Sequence, residues 1–399
     1  MTSILKLRKT EENDMPEQGF QGSRLTQARK IRLMTQKALS QLIGKSSQAI
    51  SQFESGAATP SADVVKELAK VLQVPIELLY KPGKKQESAE PVFYRSMSAA
   101  TKKARSAAEI KLEWIDDCVT YFEDMLELPV FDAPQLQIPS DPLLISSDLI
   151  EDAANRLRLA WDVPNGPIEN MIGLLERHGI FVFMMPLGAD TLDALSTARN
   201  KLHPYIIVGT DQGNACRWRF DCAHELGHLI LHRGISECDL TDPPISKLIE
   251  NQAHRFASAF LLPEKEFVES LFTVRLDGYR ELKPYWRVSI SAMIRRTKDL
   301  GLISEEDYRN LCISISRRKW RRNEPFDNEM IAERPALANK CLALLSDSIY
   351  GAEDDFMRSV SLPEDFIMTI FDRHRRNSYA HKAQVVDFSN HIRKDRQSN

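Results

Sequence analysis

The most informative segment of the chain reads Trp218-Arg219-Phe220-Asp221-Cys222-Ala223-His224-Glu225-Leu226-Gly227-His228-Leu229-Ile230-Leu231-His232. Its apolar residues recur at steps of three and four, which predicts one amphipathic helix. On that helix His224 and His228 lie one turn apart, roughly 6 Å along the axis, so both imidazoles can bind one metal ion. Glu225 lies beside them, where its carboxylate can accept a proton from metal-bound water. The His-Glu-x-x-His spacing therefore predicts a catalytic zinc site.

A catalytic zinc site needs a third protein ligand and an open position for water. His232 lies on the same helix roughly 12 Å from His224, which is beyond reach of one ion. We expect it at the helix C-terminus, where a positive charge is favourable. The favoured ligand is Glu250, which opens a second amphipathic helix that ends at Pro263. His254, one turn later, could orient a ligand or replace Glu250 as the ligand.

A helix-turn-helix pattern precedes this region. Thr35 can cap a short helix over residues 36–43, and Gly44 permits the turn that follows. A second helix starts near Ser46 and stops at Gly56. We expect the two helices to be locked together by four apolar side chains, namely Ala38, Leu42, Ile50 and Phe53.

The outward side chains of the second helix are short and polar, as is typical of residues that contact base edges in a major groove. They are Ser46, Ser47, Gln48, Ser51 and Gln52. The side chains expected to reach phosphates are Lys37, Lys45, Arg24 and Arg29. Residues 21–82 hold nine Lys/Arg against four Asp/Glu, although the formal net charge of the whole chain is −3. This excess of positive charge favours double-stranded DNA as the partner of the N-terminal region.

The composition of the chain indicates which broad class of protein it belongs to. The chain has 399 residues, of which 43% are hydrophobic and 27% charged, as in ordinary globular proteins of two or three domains. No apolar run approaches the roughly 18–20 residues of a membrane span, and the first residues lack the apolar block of a signal peptide. The six cysteines form no CxxC pair, so we expect reduced thiols, a cytoplasmic location and no membrane partner.

Two parts of the chain resemble known families. The first part comprises Thr35 to Gly44, Ser47 to Gly56 and Thr59 to Ala62, which closely resemble the XRE family of helix-turn-helix regulators, including Cro and phage repressors. The resemblance implies that Gln36 contacts a phosphate and that Ser47, Gln48 and Gln52 face bases. The alternative is a helical docking domain that has lost DNA binding.

The second resemblance is to the ImmA/IrrE family of metallopeptidases. It rests on Arg219-Phe220-Asp221, on Ala223 to His228, on Glu250 followed by Ala253, Phe256-Ala257 and Leu261-Leu262-Pro263, and on Gly166 to Asn170 and Leu175 to Ile180. The family implies cytoplasmic zinc peptidases that use the two His and the later Glu as ligands, several of which cleave a repressor and so switch on stress or mobile-element genes. His254 departs from the family pattern, in which Asp or Asn is commoner.

The expected architecture is multidomain, with an all-α head followed by an α+β zincin-like domain and a mainly helical C-terminal region. Ile180 to Met185 and Tyr205 to Gly209 are the predicted strands. The expected parts are a flexible arm (1–20), a helix-turn-helix domain (21–82), a linker and helical connector (83–148), a zinc metallopeptidase domain (149–325) and a helical C-terminal extension (326–399).

The C-terminal third is less informative. Residues 283–303 are similar to another helix-turn-helix pair, and residues 287–322 hold ten basic residues against four acidic ones. A second nucleic-acid or acidic-partner surface is one interpretation, and a helical cap with a solvated basic face is the favoured one. Residues 325–399 carry no motif that we can interpret.

Three functions fit the sequence. In the first, a Zn²⁺-dependent endopeptidase fused to a DNA-binding head cleaves a repressor, another DNA-bound regulator or this chain's own linker, with the peptide held as an added β-strand. In the second, a non-proteolytic transcription factor uses the zinc domain to sense a ligand or partner. In the third, the chain is an antitoxin. Retention of Glu225 favours the enzyme, because a structural zinc has no use for a carboxylate beside the water. We expect a homodimer in each case.

Overall fold

The computed structural model describes residues 19–83, 101–189, 192–197 and 202–371, together with the backbone of two short strands at 6–7 and 92–94. Most of the arm expected over residues 1–20, residues 84–91 and 95–100 of the expected linker, and residues 372–399 of the expected C-terminal extension therefore lie outside the described residues. Within the described part, no helix combines the length and apolar character required to cross a membrane.

The described strands are β1 (Lys6–Leu7), β2 (Val92–Tyr94), β3 (Leu126–Glu127), β4 (Phe181–Met185), β5 (Ala194–Thr197) and β6 (Tyr205–Gly209). The helices of the head are α1 (Gly22–Ile31), α2 (Gln36–Leu42), α3 (Ser47–Ser55) and α4 (Ala62–Leu72), with a 3₁₀ turn at Ile76–Leu79. The helices that follow are α5 (Lys102–Met125), α6 (Ser147–Ala160), α7 (Met171–Arg177), α8 (Ala215–Leu231), α9 (Glu237–Thr241), α10 (Pro243–Leu261), α11 (Glu264–Ser270), α12 (Leu276–Trp286), α13 (Ile290–Asp299), α14 (Glu305–Arg317), α15 (Leu337–Ser348), α16 (Ala352–Val360) and α17 (Glu364–Ile370).

The head forms the predicted helix-turn-helix. The side chain of Thr35 caps α2 by accepting the N–H of Ala38, and Gly56 ends α3 in the left-handed region at φ 74°. The apolar contacts between the two helices differ from the prediction at one residue. Leu42 is 57% exposed, whereas Ile50 is fully buried, because Leu42 closes the last turn of α2 on the side away from the core.

The sheet of the central domain has the strand order β2-β5-β6-β4. Strands β4 and β6 are parallel, while β5 is antiparallel to both of its neighbours. The sequence predicted β4 and β6, which are five-residue apolar runs buried on both faces. It missed β5, a four-residue strand in which Ser196 and Thr197 interrupt the apolar pattern. The architecture is therefore the expected α+β unit, with two strands more in its sheet, β5 and the edge strand β2.

The sheet separates two hydrophobic cores. Side chains such as Val182 and Ile206 belong to the core formed with α6, α7, α8 and α10. Side chains on the opposite face, such as Phe183 and Ile207, belong to a core that includes α5, the head and the helices after residue 336. Helix α5 thus packs on α1, α15 and α16 at once. No sequence pattern indicated that the C-terminal helices complete this second layer.

Buried ion pairs fix the head to α5. Arg24 is 2% exposed, and its guanidinium lies 3.1 Å from the Asp117 carboxylate and donates to the carbonyl of Pro82. Arg29 is also buried, and it pairs with Glu54 inside the head. The expectation that Arg24 and Arg29 reach phosphates is therefore wrong, because both charges are used to hold the fold together.

A buried carboxylate joins the C-terminal helices to the central domain. Glu176 at the end of α7 accepts the backbone N–H groups of Ala336 and Leu337 at 2.8 and 2.9 Å. Burial raises the pKa of Glu176 to about 7, although these two hydrogen bonds oppose the rise. The folded protein therefore holds this proton more tightly than the unfolded chain does. The stabilisation is fully present below the unfolded pKa and is lost as pH rises through 7.

We expect Glu176→Gln to remove this contribution. Between pH 5 and pH 8 the free energy of unfolding of the wild type should fall by about 2–3 kcal/mol more than that of the variant. Urea unfolding at both pH values measures the difference, with the exposed Glu169→Gln as the matched control. Equal pH slopes for wild type and Glu176→Gln would show that this carboxyl does not titrate in the window.

Candidate metal centre and DNA-binding surface

Helices α8 and α10 bring two histidines and one glutamate together. The Nε2 atoms of His224 and His228 lie 3.1 Å apart. One carboxylate oxygen of Glu250 lies 3.3 Å from the Nε2 of His224, and the other lies 3.5 Å from that of His228. Among the described residues, these three form the one group of His, Cys, Asp and Glu side chains whose donor atoms could hold a metal ion, all within 4.8 Å of one another.

These distances fit zinc. Two ligand atoms bound to a tetrahedral zinc ion at about 2.0–2.1 Å are about 3.3 Å apart, which the three observed separations bracket. Two imidazoles and one carboxylate are also a donor set of catalytic zinc sites, in which the fourth position stays open. Both histidines are fully buried, whereas 27% of the Glu250 side chain is exposed. The residues present therefore fit zinc, with His224, His228 and Glu250 as its ligands.

The protonation states also suit a metal site. Burial lowers the pKa of His224 well below its ordinary value, so its imidazole is neutral. Burial alone would raise the pKa of Glu250, but the nearby imidazoles of His224 and His228 outweigh it and hold the pKa below its usual range. The centre thus offers a neutral imidazole at His224 and an ionised carboxylate at Glu250, which are the forms that bind zinc.

Helix α10 is longer than the sequence predicted. It begins at Pro243 rather than at Glu250, because Asp242 and a proline pair start the helix earlier. Glu250 therefore lies inside the helix, where the backbone is held by hydrogen bonds on both sides. A ligand in this position is placed by a rigid element.

A series of hydrogen bonds holds His228 through its Nδ1 atom, the ring nitrogen that does not face Glu250. The Nδ1 atoms of His228 and His232 lie 2.9 Å apart, and the Nε2 of His232 lies 3.1 Å from the Oε1 of Gln252. The amide nitrogen of Gln252 donates to the carbonyls of Pro142 and Ile145 at 2.7 and 3.1 Å. The chain runs from the candidate ligand to the backbone of a neighbouring segment.

The donor and the acceptor of each hydrogen bond in this series can be assigned, starting from Gln252. Because the Gln252 nitrogen donates to two carbonyls, its oxygen must accept from His232 Nε2. The Nδ1 of His232 then accepts, so the Nδ1 of His228 donates and the Nε2 of His228 keeps a lone pair for a metal. This is the tautomer that a zinc-bound histidine needs.

The role of His232 differs from the expectation. It is the C-cap residue of α8 and is no member of the candidate ligand group, as predicted from helix geometry. It carries no positive charge, however, since burial and the neighbouring His228 lower its pKa to about 3. Sequence reasoning missed its contact with Gln252, because the two residues lie on different helices.

We expect His232→Leu to weaken zinc binding by about 10–100-fold, the usual effect of losing a hydrogen-bond partner of a ligand. The variant leaves the Nδ1–H of His228 without its acceptor in a dry core. Competition with a zinc-binding dye measures the affinity. The remote His178→Leu serves as a control, and an unchanged zinc affinity in His232→Leu would contradict the role assigned to the hydrogen-bond chain.

Glu225 lies next to the metal centre on α8 and is fully buried. The hydroxyl of Ser196, on β5, donates to its Oε2 at 2.6 Å. This hydrogen bond holds the Oε2 atom of the Glu225 carboxylate in place. The sequence did not single out Ser196, because β5 was not predicted.

His254 lies one turn after Glu250 and contacts the metal centre through its ring. Its ring centroid is 4.6 Å from that of His224, nearly edge to face. It stands outside the group of three candidate ligands, so the structure favours Glu250 over His254 as the third ligand. His254 and Asn251 also line a pocket of about 840 Å³ between α8, α10, α13 and residues 321–328, and none of the three candidate ligands is part of its lining.

The predicted base-reading residues lie on the surface of the head. Six predicted contact residues are exposed along α3 and the turn before it, namely Lys45, Ser46, Ser47, Gln48, Ser51 and Gln52, as is Lys37 on α2. Ser46 also caps α3 by accepting the N–H of Ala49. Gln36 differs from the rest, because its amide donates to Glu54 at 2.7 Å and so is engaged within the head.

We expect Gln48→Ala to weaken operator binding by about 10-fold, within the 1–3 kcal/mol of a base contact, and to leave the salt dependence unchanged. Fluorescence anisotropy on a duplex selected from random sequences measures both quantities. Gln137→Ala, an exposed substitution outside the head, is the control. Wild-type affinity in Gln48→Ala would remove this residue from the base-reading set.

The basic segment of the C-terminal third is partly internal. Just before the counted residues, Lys283 is fully buried between Glu324 and Asp327 at 2.8 and 2.6 Å. Arg296 is fully buried as well and pairs with Glu151 on α6 at 2.6 Å. Net charge counted along the sequence therefore overstated the basic surface that α12, α13 and α14 present.

Comparisons with known proteins support the division of the chain. Residues 25–79 match the family described as Helix-turn-helix, and residues 175–298 match the IrrE N-terminal-like domain, peptidase family M78. No curated protein matches the sequence.

One solved structure is similar over 91% of this chain and 99% of its own, at 15% identity and a TM-score of 0.15. It is the crystal structure of Bacillus thuringiensis PlcR in complex with the peptide PapR7 and DNA. That TM-score is too low to indicate a shared fold. The two family matches confirm the predicted arrangement, in which a region similar to XRE-type helix-turn-helix domains precedes a region similar to the ImmA/IrrE-like domain of peptidase family M78.

Proposed function

We propose that this protein is a DNA-binding transcriptional regulator with a zinc-dependent endopeptidase domain, which cleaves a repressor or partner regulator and so controls stress or mobile-element genes. The observation that carries the proposal is the convergence of His224, His228 and Glu250 on one point, with Glu225 buried on the same helix next to His224. The match to an M78 peptidase domain supports the same chemistry.

The residues of the chain divide the work of peptide hydrolysis. Zinc, when bound by His224, His228 and Glu250, supplies a Lewis acid for the carbonyl and the water. Glu225 accepts a proton from the attacking water and passes it to the leaving nitrogen. Ser196 holds one oxygen of Glu225, which limits the orientations that the carboxylate can adopt.

The substrate would bind as an added strand. Strand β5 carries Ser196, and α8 packs against it. A peptide paired with β5 would therefore run past Glu225, and its backbone would supply most of the binding. The pocket beside His254 would accept side chains of the same peptide.

The DNA-binding head would bring this activity to an operator. Exposed polar residues on α3 suit a major groove, and two heads in a homodimer would contact two half-sites. Regulation of genes by repressor cleavage also requires that the protein act in the cytoplasm, where the operator and a DNA-bound substrate are found.

A second candidate is a regulator that senses a ligand without cleaving anything. The 840 Å³ pocket favours it, because this volume accommodates a small molecule next to His254, whose ring contacts that of His224. The two candidates differ in what they require of Glu225. A sensor needs the zinc ligands alone, whereas a peptidase also needs the proton acceptor.

The test compares cells that express the wild type with cells that express Glu225→Gln, under stress, by sequencing new protein N-termini. We expect N-termini from a regulator in the wild type that are absent in the variant. If both strains give the same N-termini while both proteins retain zinc, the peptidase proposal fails and the sensor is favoured.

A further inference from the structure

Strand β2 connects the two functional parts of the chain in an unexpected way. It lies in the linker after the head, yet it forms the edge of the sheet of the metallopeptidase domain. It pairs antiparallel with β5 in the register Val92 to Thr197, Phe93 to Ser196 and Tyr94 to Leu195.

This register places the linker backbone next to the catalytic machinery. Ser196 is the residue whose hydroxyl donates to Glu225, and Phe93 is its direct partner across the ladder. Directly opposite residues in an antiparallel pair have Cα atoms about 4.5–5.5 Å apart. The backbone at Phe93 therefore lies one strand spacing from Ser196, the residue that holds the Glu225 carboxylate.

The edge of β5 has room for one peptide. Strand β6 already pairs with the other side of β5, so a substrate strand must take the place that β2 holds. From this placement we infer that the linker strand Val92–Tyr94 is a built-in substrate, and that the protein cuts its own chain within or beside this strand. The inference rests on the proposed peptidase function and names one substrate of it.

The reaction is an ordinary hydrolysis. The oxygen of one water bonds to a carbonyl carbon of the linker, the C–N bond breaks, and Glu225 carries the water proton to the leaving nitrogen. The products are a new carboxylate and a new amine, and no oxidant or co-reactant is needed. The cut would leave the head attached through its contacts with α5, such as the Arg24–Asp117 pair.

The experiment uses the full chain, prepared without zinc and then supplied with zinc alone. Intact-mass spectrometry should find two fragments whose masses sum to the chain plus one water, with the new N-terminus within or beside residues 92–94. The rate constant should not depend on protein concentration, because substrate and site share one chain. Glu225→Gln should give no fragments.

A paired substitution tests the role of the strand. Neighbouring N–H groups along a strand point to opposite sides, so Val92→Pro with Phe93→Pro must remove one donor that faces β5. In zinc-free protein, this variant should lose hydrogen-exchange protection at residues 194–197, and with zinc it should not be cut. The matched control, Val92→Ile with Phe93→Tyr, should keep both properties.

The outcomes separate this inference from the proposed function. If zinc-loaded wild type cuts an unrelated extended peptide while its own linker stays intact, the inference is wrong and the peptidase stands. A rate constant that rises with protein concentration would also overturn it, since the cut would then be between chains. If zinc is bound and no peptide is cut at all, the proposed function and the inference fail together.

Discussion

Glu225→Gln is expected to slow peptide hydrolysis by about 10²–10⁴-fold, the usual contribution of a positioned general acid–base group. The amide has nearly the same shape as the carboxylate and can still accept from Ser196 through its oxygen. It cannot take a proton from water, so the loss falls on kcat. Initial rates on an internally quenched peptide and zinc content by mass spectrometry are the two measurements.

The zinc content of Glu225→Gln should equal that of the wild type, because Glu225 is outside the group of candidate ligands. The exposed Glu169→Gln, on the segment before α7, is the matched control and should cleave at the wild-type rate. Equal rates for wild type and Glu225→Gln, with zinc bound in both, would remove Glu225 from the reaction.

Glu250→Ala is expected to weaken zinc binding by more than about 100-fold. Losing a partner of a ligand already costs about 10–100-fold, and this change removes a ligand and the negative charge of the site together. His224 and His228 would remain as a pair of neutral imidazoles on one helix turn, which is too few ligands to hold zinc firmly. Isothermal titration of the metal-free protein gives the affinity.

A second variant shows whether Glu250 or its neighbour is the ligand. His254→Ala removes the other residue that the sequence allowed for this role, and it should leave zinc affinity close to that of the wild type. Strong zinc binding by Glu250→Ala together with weak binding by His254→Ala would reverse the assignment of the third ligand.

The sequence could predict the metal centre because its geometry is local. His224 and His228 share a face by helical spacing alone, and the amphipathic pattern after Glu250 indicated a helix that packs on the first. The supporting contacts could not be predicted in the same way. Gln252 and Ser196 reach the centre through tertiary packing, and no short-range pattern reports which buried polar groups will meet.

In the head too, the sequence predicted the local features but not the tertiary contacts. Its two helices and their caps follow from Thr35, Ser46 and Gly56, whose roles depend on the neighbouring backbone. Burial of Arg24 and Arg29 depends on acidic residues supplied by α5 and α3, so a charge count along the sequence assigned them to DNA. The helices after residue 336 carried no motif, since their contribution is apolar packing on α5 and the sheet.

X-ray absorption at the zinc edge would show whether His224, His228 and Glu250 bind the metal, because it reports the atoms bound to zinc. We expect one zinc per chain with nitrogen and oxygen neighbours at about 2.0–2.1 Å, the signature of two imidazoles and a carboxylate, and an open position filled by water. Cys216 and Cys222 lie on the same helix as the histidines, but burial raises the pKa of both thiols. A sulfur neighbour at about 2.3 Å would contradict the His224, His228 and Glu250 centre.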